Sequence, residues 1–207
     1  MKILNLYSGI GGNRKLWTPK GNEHEITAVE YKKEIADIYQ DFFPNDKIII
    51  ADAHQYLLDN FENFDFIWSS PPCQSHSKCV YSGTYSKDGK MLYRPKYTDI
   101  KLYQEILLLQ GFFKGKWVVE NVISWHKPLL PAQELASHYY WSNFYIPPLP
   151  KVCRGHDSGV ETLQKIKGFD LSKYKGKKKL YLRNAVEPET GKYILDRAIK
   201  QEYQKLL

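Results

Sequence analysis

Cysteine is scarce in this chain of 207 residues, and the three present, Cys73, Cys79 and Cys153, show no disulfide-framework spacing. An odd number so arranged argues for a reducing compartment and against a secreted, stapled domain. It also argues against structural zinc, because Cys73 and Cys79 lack tight ligand-pair spacing and Cys153 with His156 adds only one pair. No metal is therefore expected. Long apolar runs are missing too: the opening MKILNLYSGIGG passes straight into glycines. It is too short for a membrane span and unlike a signal peptide, so the expected location is the cytoplasm, of a bacterium or a phage-infected host. Acid is in deficit, with 23 Asp and Glu against 30 Lys and Arg, a net charge of +7. That balance favours a polyanionic partner. Lysine carries most of it, notably in the loop-like KYKGKKK (173–179) and RPK (94–96), for which a merely solvated loop is the plain alternative.

What is present reads as one α/β domain. KILNLYS is a buried strand, and GIGGNRKLW a tight turn opening a helix. EITAVE is a second strand, followed by a helix with Ile35, Ile38 and Phe42 on one face, stopped by Pro44 and Asn45. DKIIIAD, AHQYLLDNF and FDFIWSS continue as strand, short helix and strand. A polar stretch from Gln74 to Thr98 holds no evident element, and loops of that length are usually functional or disordered. DIKLYQEILLLQGFF is a helix, KWVVENV a fifth strand and HYYWSNFYIP a late strand; residues 147–179 read as polar and irregular. YILDRAIKQEYQKLL closes the chain as a helix, with Ile194, Ala198 and Ile199 on one side. Such alternation predicts a doubly wound parallel sheet with sites at the carboxyl ends of its strands.

The first turn, Gly9-Ile10-Gly11-Gly12, has the setting in which backbone N–H groups approach a ligand. Arg14 stands where a dinucleotide fingerprint needs glycine. Glu30 ends the second strand, where a carboxylate accepts ribose hydroxyls, and Asp52 ends the third, placed for an adenine amino group. Each acid alone reads as a helix cap; together around the turn they suit a nucleoside without phosphates, such as S-adenosylmethionine.

The stretch SSPPCQSHS places Cys73 directly after Pro71 and Pro72. Two fixed φ angles hold the thiol in one orientation at a strand end, where a helix N-terminus or a cation would raise its thiolate fraction. Glu120, in VVENV, faces the same crevice from the fifth strand. Thiolate attack at cytosine C6, with a carboxyl at N3, makes C5 an enamine carbon able to take a methyl group from a sulfonium.

On these residues the chain resembles the C5-cytosine DNA methyltransferase family. LYSGIGG resembles the cofactor motif F-x-G-x-G, SPPCQ the nucleophile motif P-C-Q, ENV the motif of the N3-directed glutamate, and LRNAVEPETGKYI the closing G-N-A/S-V-P segment. The motifs run in family order over nearly the whole chain. The resemblance implies a Rossmann-like S-adenosylmethionine-dependent methyltransferase sheet with helices on both faces. It divides the chain into a cofactor-binding and catalytic core (1–146), a short target-recognition region (147–181) and a closing segment (182–207). It implies Cys73 as nucleophile and Glu120 at N3, with Tyr7, Ser8, Gly9, Ile10, Gly11, Gly12, Glu30, Tyr31, Asp52, Ala53, Asn184 and Ala185 around the cofactor. The loop after the nucleophile would close over a base flipped from duplex DNA. Nucleic-acid contacts are expected from Gln74, Ser75, Lys78, Arg94, Arg154, Lys175, Lys177, Lys178 and Lys179.

Three departures stand out. The Q-x-R-x-R motif, whose arginine reaches the target cytosine, has no counterpart; SHYYWSNFY lies in its place, leaving His138, Asn143, Arg94 or Arg154 as substitutes. Arg183 replaces the closing motif's glycine and Glu187 its proline. The recognition region is short, so sequence reading would rest on few base contacts or on a companion specificity chain. Small size suggests a phage or mobile-element enzyme of the restriction-modification kind. The alternatives are a tRNA-directed cytosine-C5 enzyme and a cofactor- or DNA-binding subunit without turnover; an amino-methyltransferase is disfavoured by Cys73 and Gln74 where its motif carries an aromatic residue.

Overall fold

The structure is a computed structural model that describes residues 1–17, 24–94, 96–136, 138–149 and 158–203. Five strands, β1 (Lys2–Leu6), β2 (Glu25–Glu30), β3 (Lys47–Ile50), β4 (Phe66–Ser69) and β5 (Lys116–Val122), lie parallel. A hairpin, β6 (Gln133–Leu135) and β7 (His138–Ser142), completes the sheet, with β7 antiparallel to β5. The order is β3-β2-β1-β4-β5-β7-β6. The chain winds outward from β1 to one side, then restarts at β4 on the other, so a crevice opens between the carboxyl ends of β1 and β4.

Period-two alternation sorts the strand residues into two faces. Ile3, Ile26, Phe66, Trp68 and Val118 pack with Trp17 and with Ile194, Leu195 and Ala198 of helix α7, defined below. Leu4, Leu6, Val29, Ile67 and Val119 face the other way, against Leu57, Leu102, Ile106 and Leu109. The helices are α1 (Lys33–Phe42), α2 (Ala53–Asn60), α3 (Lys78–Ser82), α4 (Lys101–Phe112), α5 (Val160–Lys167), α6 (Lys178–Asn184) and α7 (Pro188–Tyr203). Helices thus cover both faces, as the doubly wound pattern predicts. No helix among the described residues is long and apolar enough to cross a membrane.

Several expectations need correction. The glycine turn leads only to a short 3-10 helix, Asn13–Leu16, among the described residues. There Arg14 turns inward, and its guanidinium donates to Asp46 from Nε at 2.7 Å and from Nη2 at 2.9 Å. The 74–98 stretch is not featureless: Ser77 caps α3 by accepting from the Cys79 N–H, and Tyr85 bridges Met91 around Gly89. β3 stops at Ile50, and Asp52 is instead the N-cap of α2. α7 begins at Pro188, whose fixed φ suits a first helical turn, earlier than the expected start at Tyr193.

The largest correction concerns residues 147–181. In place of an irregular polar tract, their described part forms α5, ended by Gly168 at φ +66°, and the start of α6. Leu163, Phe169, Leu171, Tyr181 and Leu182 share a core with Ile10 and Ile38. Lys167 is buried as well, donating to the Ala185 carbonyl at 2.6 Å and pairing with Glu187 at 2.9 Å. The boundary drawn at 181 therefore cuts α6, and this segment packs against α1 as part of the main body.

Candidate active site

The site grows from the ends of β4 and β5. Beyond Ser69 the chain turns through Ser70, Pro71 and Pro72 to Cys73, whose carbonyl accepts from the N–H groups of His76 and Ser77, each at 3.0 Å. Asn121, buried at the end of β5, donates to the Pro71 carbonyl at 2.9 Å. The turn leading into P-C-Q is thereby joined to E-N-V by a hydrogen bond. Burial pushes the Cys73 thiol pKa up from its ordinary value, and the charge of Glu120 pushes it further. This overturns the expectation of a raised thiolate fraction: the neighbouring charge is a carboxylate, and it disfavours a second anion.

Glu120 is 8% exposed. His138, on the antiparallel neighbour β7, places Nε2 3.3 Å from Glu120 Oε1. Of the four substitutes for the missing arginine, His138 reaches the glutamate. Asn143 lies at the far end of β5, accepting from the Trp117 N–H at 3.2 Å and donating to the Gly115 carbonyl at 2.8 Å. Arg94 is exposed in the loop, and Arg154 lies outside the described residues, as do Cys153 and His156.

At the end of β1, Tyr7 adopts φ +54°, a left-handed conformation that costs a bulky residue about 1–3 kcal/mol. Its hydroxyl donates to Glu105 Oε1 at 2.6 Å. Glu105, on α4 and 1% exposed, also accepts from Ser69 Oγ at 2.6 Å and lies 3.0 Å from His54 Nδ1. One buried carboxylate thus ties β1, β4 and α2 together beneath the crevice. Sequence reasoning missed it; the only signal is an acid inside the apolar helix stretch YQEILLL.

The expected cofactor residues divide. Gly9, at φ +54°, opens onto free space, and its N–H donates to Glu30 Oε2 at 3.1 Å. Glu30 Oε1 accepts from the Lys32 N–H at 3.0 Å, which leaves lone pairs on both oxygens. Ser8 Oγ is buried without a hydrogen-bond partner. Tyr31 is exposed beside Glu30. Gly11 and Gly12 are needed for packing: a Cβ would strike the Phe43 ring at the first and the Val186 backbone at the second. Ile10, Ala53 and Ala185 are buried in the core clusters. Asp52 Oδ1 accepts from the N–H groups of His54 and Gln55, at 2.9 and 3.1 Å, and Oδ2 lies 3.7 Å from Lys101 Nζ. Asn184 is exposed at the end of α6.

Among the expected nucleic-acid contacts, Ser75 serves the loop itself: its Oγ accepts from the Asp99 N–H at 2.9 Å and its carbonyl from Trp125 Nε1 at 3.2 Å. Gln74, which follows Cys73 in the chain, and Lys78, at the start of α3, are exposed. Lys175, Lys177 and Lys179 are exposed, whereas Lys178 donates from Nζ to the Ser172 carbonyl at 3.0 Å. Among the described residues no cluster of three His, Cys, Asp or Glu is arranged to hold a metal.

A thiol and a carboxyl meet here at adjacent strand ends, beside a glycine turn with an acid behind it. Residues 1–95 match the family of C-5 cytosine-specific DNA methylases. The matched part takes in the glycine turn and Cys73, and ends before Glu120. A tRNA (cytosine(38)-C(5))-methyltransferase of Spodoptera frugiperda is 34% identical over 90 residues, covering 42% of this chain and 26% of that protein. The type II methyltransferase M.Bsp6I of Bacillus sp. is 27% identical over 113 residues, covering 54% and 36%. A solved DNMT2 mutant from Spodoptera frugiperda is 28% identical with a TM-score of 0.38, covering 58% of this chain and 35% of that one. The aligned stretches span 26% and 36% of the two curated relatives' own length. The family match implies S-adenosylmethionine as methyl donor, and the residues fit it: open space at Gly9, an unpartnered Ser8 hydroxyl, and spare acceptor capacity on Glu30.

Proposed function

We propose that this chain methylates C5 of cytosine in DNA through a covalent bond from Cys73 to C6. The observation that carries the reading is the placing of Cys73 within reach of the Glu120 charge, which helps raise the thiol's pKa, with Asn121 clamping the Pro71 turn. Cys73, as thiolate, adds to C6. The C5=C6 π electrons move toward N3, which takes a proton from Glu120, and C5 becomes nucleophilic. S-adenosylmethionine, when bound, supplies a methyl group on a sulfonium. The C5 proton then passes to water, its bonding electrons re-form C5=C6, the Sγ–C6 bond breaks to return Cys73 as thiolate, and the N3 proton goes back to Glu120. Gly9, Ser8 and Glu30 would hold the nucleoside part of the donor, Glu30 at the ribose hydroxyls. Exposed Lys175, Lys177 and Lys179 would neutralise phosphates of double-stranded DNA.

A second reading is tRNA as substrate, favoured by the similarity to the Spodoptera frugiperda tRNA (cytosine(38)-C(5))-methyltransferase, which has higher identity than the type II enzyme. A subunit without turnover is disfavoured by the retained Cys73 and Glu120. The experiment offers purified protein tritiated S-adenosylmethionine with duplex DNA and with tRNA in separate reactions, and identifies product nucleosides. 5-Methyldeoxycytidine from DNA is the expected product. 5-Methylcytidine from tRNA alone would give the second reading, and no label in either would overturn both.

A further inference from the structure

The crevice asks opposite things of its two reacting groups. Addition at C6 needs Cys73 without its proton and Glu120 with one. A carboxyl group left to itself gives up its proton well below neutral pH, and an ionised Glu120 also holds back the thiolate. Something must hold a proton beside Glu120 in the neutral range. His138 is placed to do so. The β5–β7 register sets it opposite Val122, two residues beyond Glu120, and Nε2 lies 3.3 Å from Glu120 Oε1, with side chains 25% and 10% exposed. Imidazole is the side chain that keeps and releases a proton in that range, which the guanidinium of the absent motif cannot do.

We propose that His138 is the proton reservoir and counter-charge of Glu120, a positioning residue acting through it in the reaction proposed above. The pair shares one proton and is neutral as a unit. As the Sγ–C6 bond forms, that proton passes through Glu120 to N3, and the negative charge brought by the thiolate comes to rest on the pair. When the C5 proton leaves and Sγ–C6 breaks, N3 returns its proton to the pair. The other titratable groups on the packed elements are Cys73 beyond β4, Lys116 on β5, Glu134 on β6, Tyr139 and Tyr140 on β7, and Lys101, Tyr103 and Glu105 on α4. Lys116 lies at the opposite end of β5 and Lys101 lies 3.7 Å from Asp52, whereas His138 is the basic side chain placed against Glu120.

The test is release of tritium from C5 of cytosine into water without methyl donor, which reads C6 addition directly, between pH 5 and 8.5. Duplex DNA and tRNA tritiated at cytosine C5 are the probes. In the wild type the rate should rise with pH as thiolate forms, then break to a plateau as the pair loses its proton. His138→Gln keeps a hydrogen-bond donor but no proton to share, so its break should move to lower pH. The two rates should then lie close together at pH 5 and diverge as pH rises toward 8. His138→Arg, with a fixed charge, should shift the break in the same way and carries the test if the glutamine variant does not fold. An unchanged break, or an equal fall at every pH in either variant, would overturn the role of His138 and leave the Cys73 chemistry standing. No release by the wild type from either nucleic acid would instead overturn the C6-addition reading itself.

Discussion

The side-chain amide of Asn121 donates to the carbonyl of Pro71 at 2.9 Å, so the end of β5 holds the turn that aims Cys73. Both partners are buried, and removing the donor leaves a carbonyl without a partner, at a cost of about 1–3 kcal/mol. Asn121→Ala should therefore lower stability by that amount. It should also slow covalent trapping by a 5-fluorocytosine oligonucleotide, by about 100-fold for a shift of the thiol by roughly 1 Å. Cys73→Ser should form no adduct at all. Trapping by Asn121→Ala at the wild-type rate would show that the clamp does not orient the thiol.

The thiol itself has a pH signature. Burial first, and the charge of Glu120 second, raise the Cys73 pKa. A raised pKa keeps the proton on at a given pH, so alkylation of Cys73 by iodoacetamide should rise through a midpoint above the ordinary thiol value of 9.0. Glu120→Gln removes the second cause only. Its midpoint should fall but stay above that value, because burial is the larger effect. The measurement uses a background in which Cys79 and Cys153 are serine. A midpoint that does not move in Glu120→Gln would separate the two groups electrostatically and remove the support for their joint chemistry.

How much of this was legible beforehand follows from what each element buries. β1, β4 and β5 lie in the middle of the sheet, and their continuous apolar runs announce them. Cys73 and Glu120 could be placed at strand ends because prolines and a polar pair interrupt those runs. β6 escaped notice, since three residues, Gln133–Leu135, make too short a period to read. α5 and α6 were hidden by lysines: Leu163, Phe169, Leu171 and Leu182 are buried, but the intervening Lys and Asp residues make the window look solvated. Glu105 belongs to no motif, because its partners Tyr7, His54 and Ser69 come from three other elements. The direction of the thiol shift depends on burial and on a carboxylate from another strand, neither of which local spacing reveals.

Glu105→Gln tests the buried carboxylate. An amide can accept from Tyr7 or Ser69 at its oxygen but meets the other with N–H groups, so at least one strong bond is lost. The expected cost is about 3 kcal/mol, or roughly 6–12 °C in Tm for a chain of this size. The pH dependence has a sign. The Glu105 hydrogen bond raises the His54 pKa, against burial which lowers it. A raised histidine pKa gives stability that is full below about 6.5 and is lost as pH rises through the folded value. The Tm difference between wild type and Glu105→Gln should therefore be larger at pH 5 than at pH 9. Equal differences at the two pH values would mean that His54 gains nothing from Glu105.

The lysines of the α5–α6 segment separate into two kinds, and nucleic-acid binding should follow that division. Lys175, Lys177 and Lys179 are exposed, whereas Lys178 is spent on the Ser172 carbonyl at 3.0 Å. Phosphate contacts position a protein without specifying sequence, and each one lost reduces the salt slope by about 1. The triple variant Lys175→Ala, Lys177→Ala, Lys179→Ala should weaken binding of two unrelated duplexes equally, and flatten the slope of log K against log salt by up to about 3. Lys178→Ala should change the slope little and lower Tm, because it unties the start of α6 from Ser172. Fluorescence anisotropy at several salt concentrations reads the first effect and thermal melting the second. If the triple variant kept the wild-type slope, these lysines would be a solvated face and the nucleic acid would lie elsewhere, with Lys78 and Arg94, exposed in the segment that follows Cys73, as the next surface to examine.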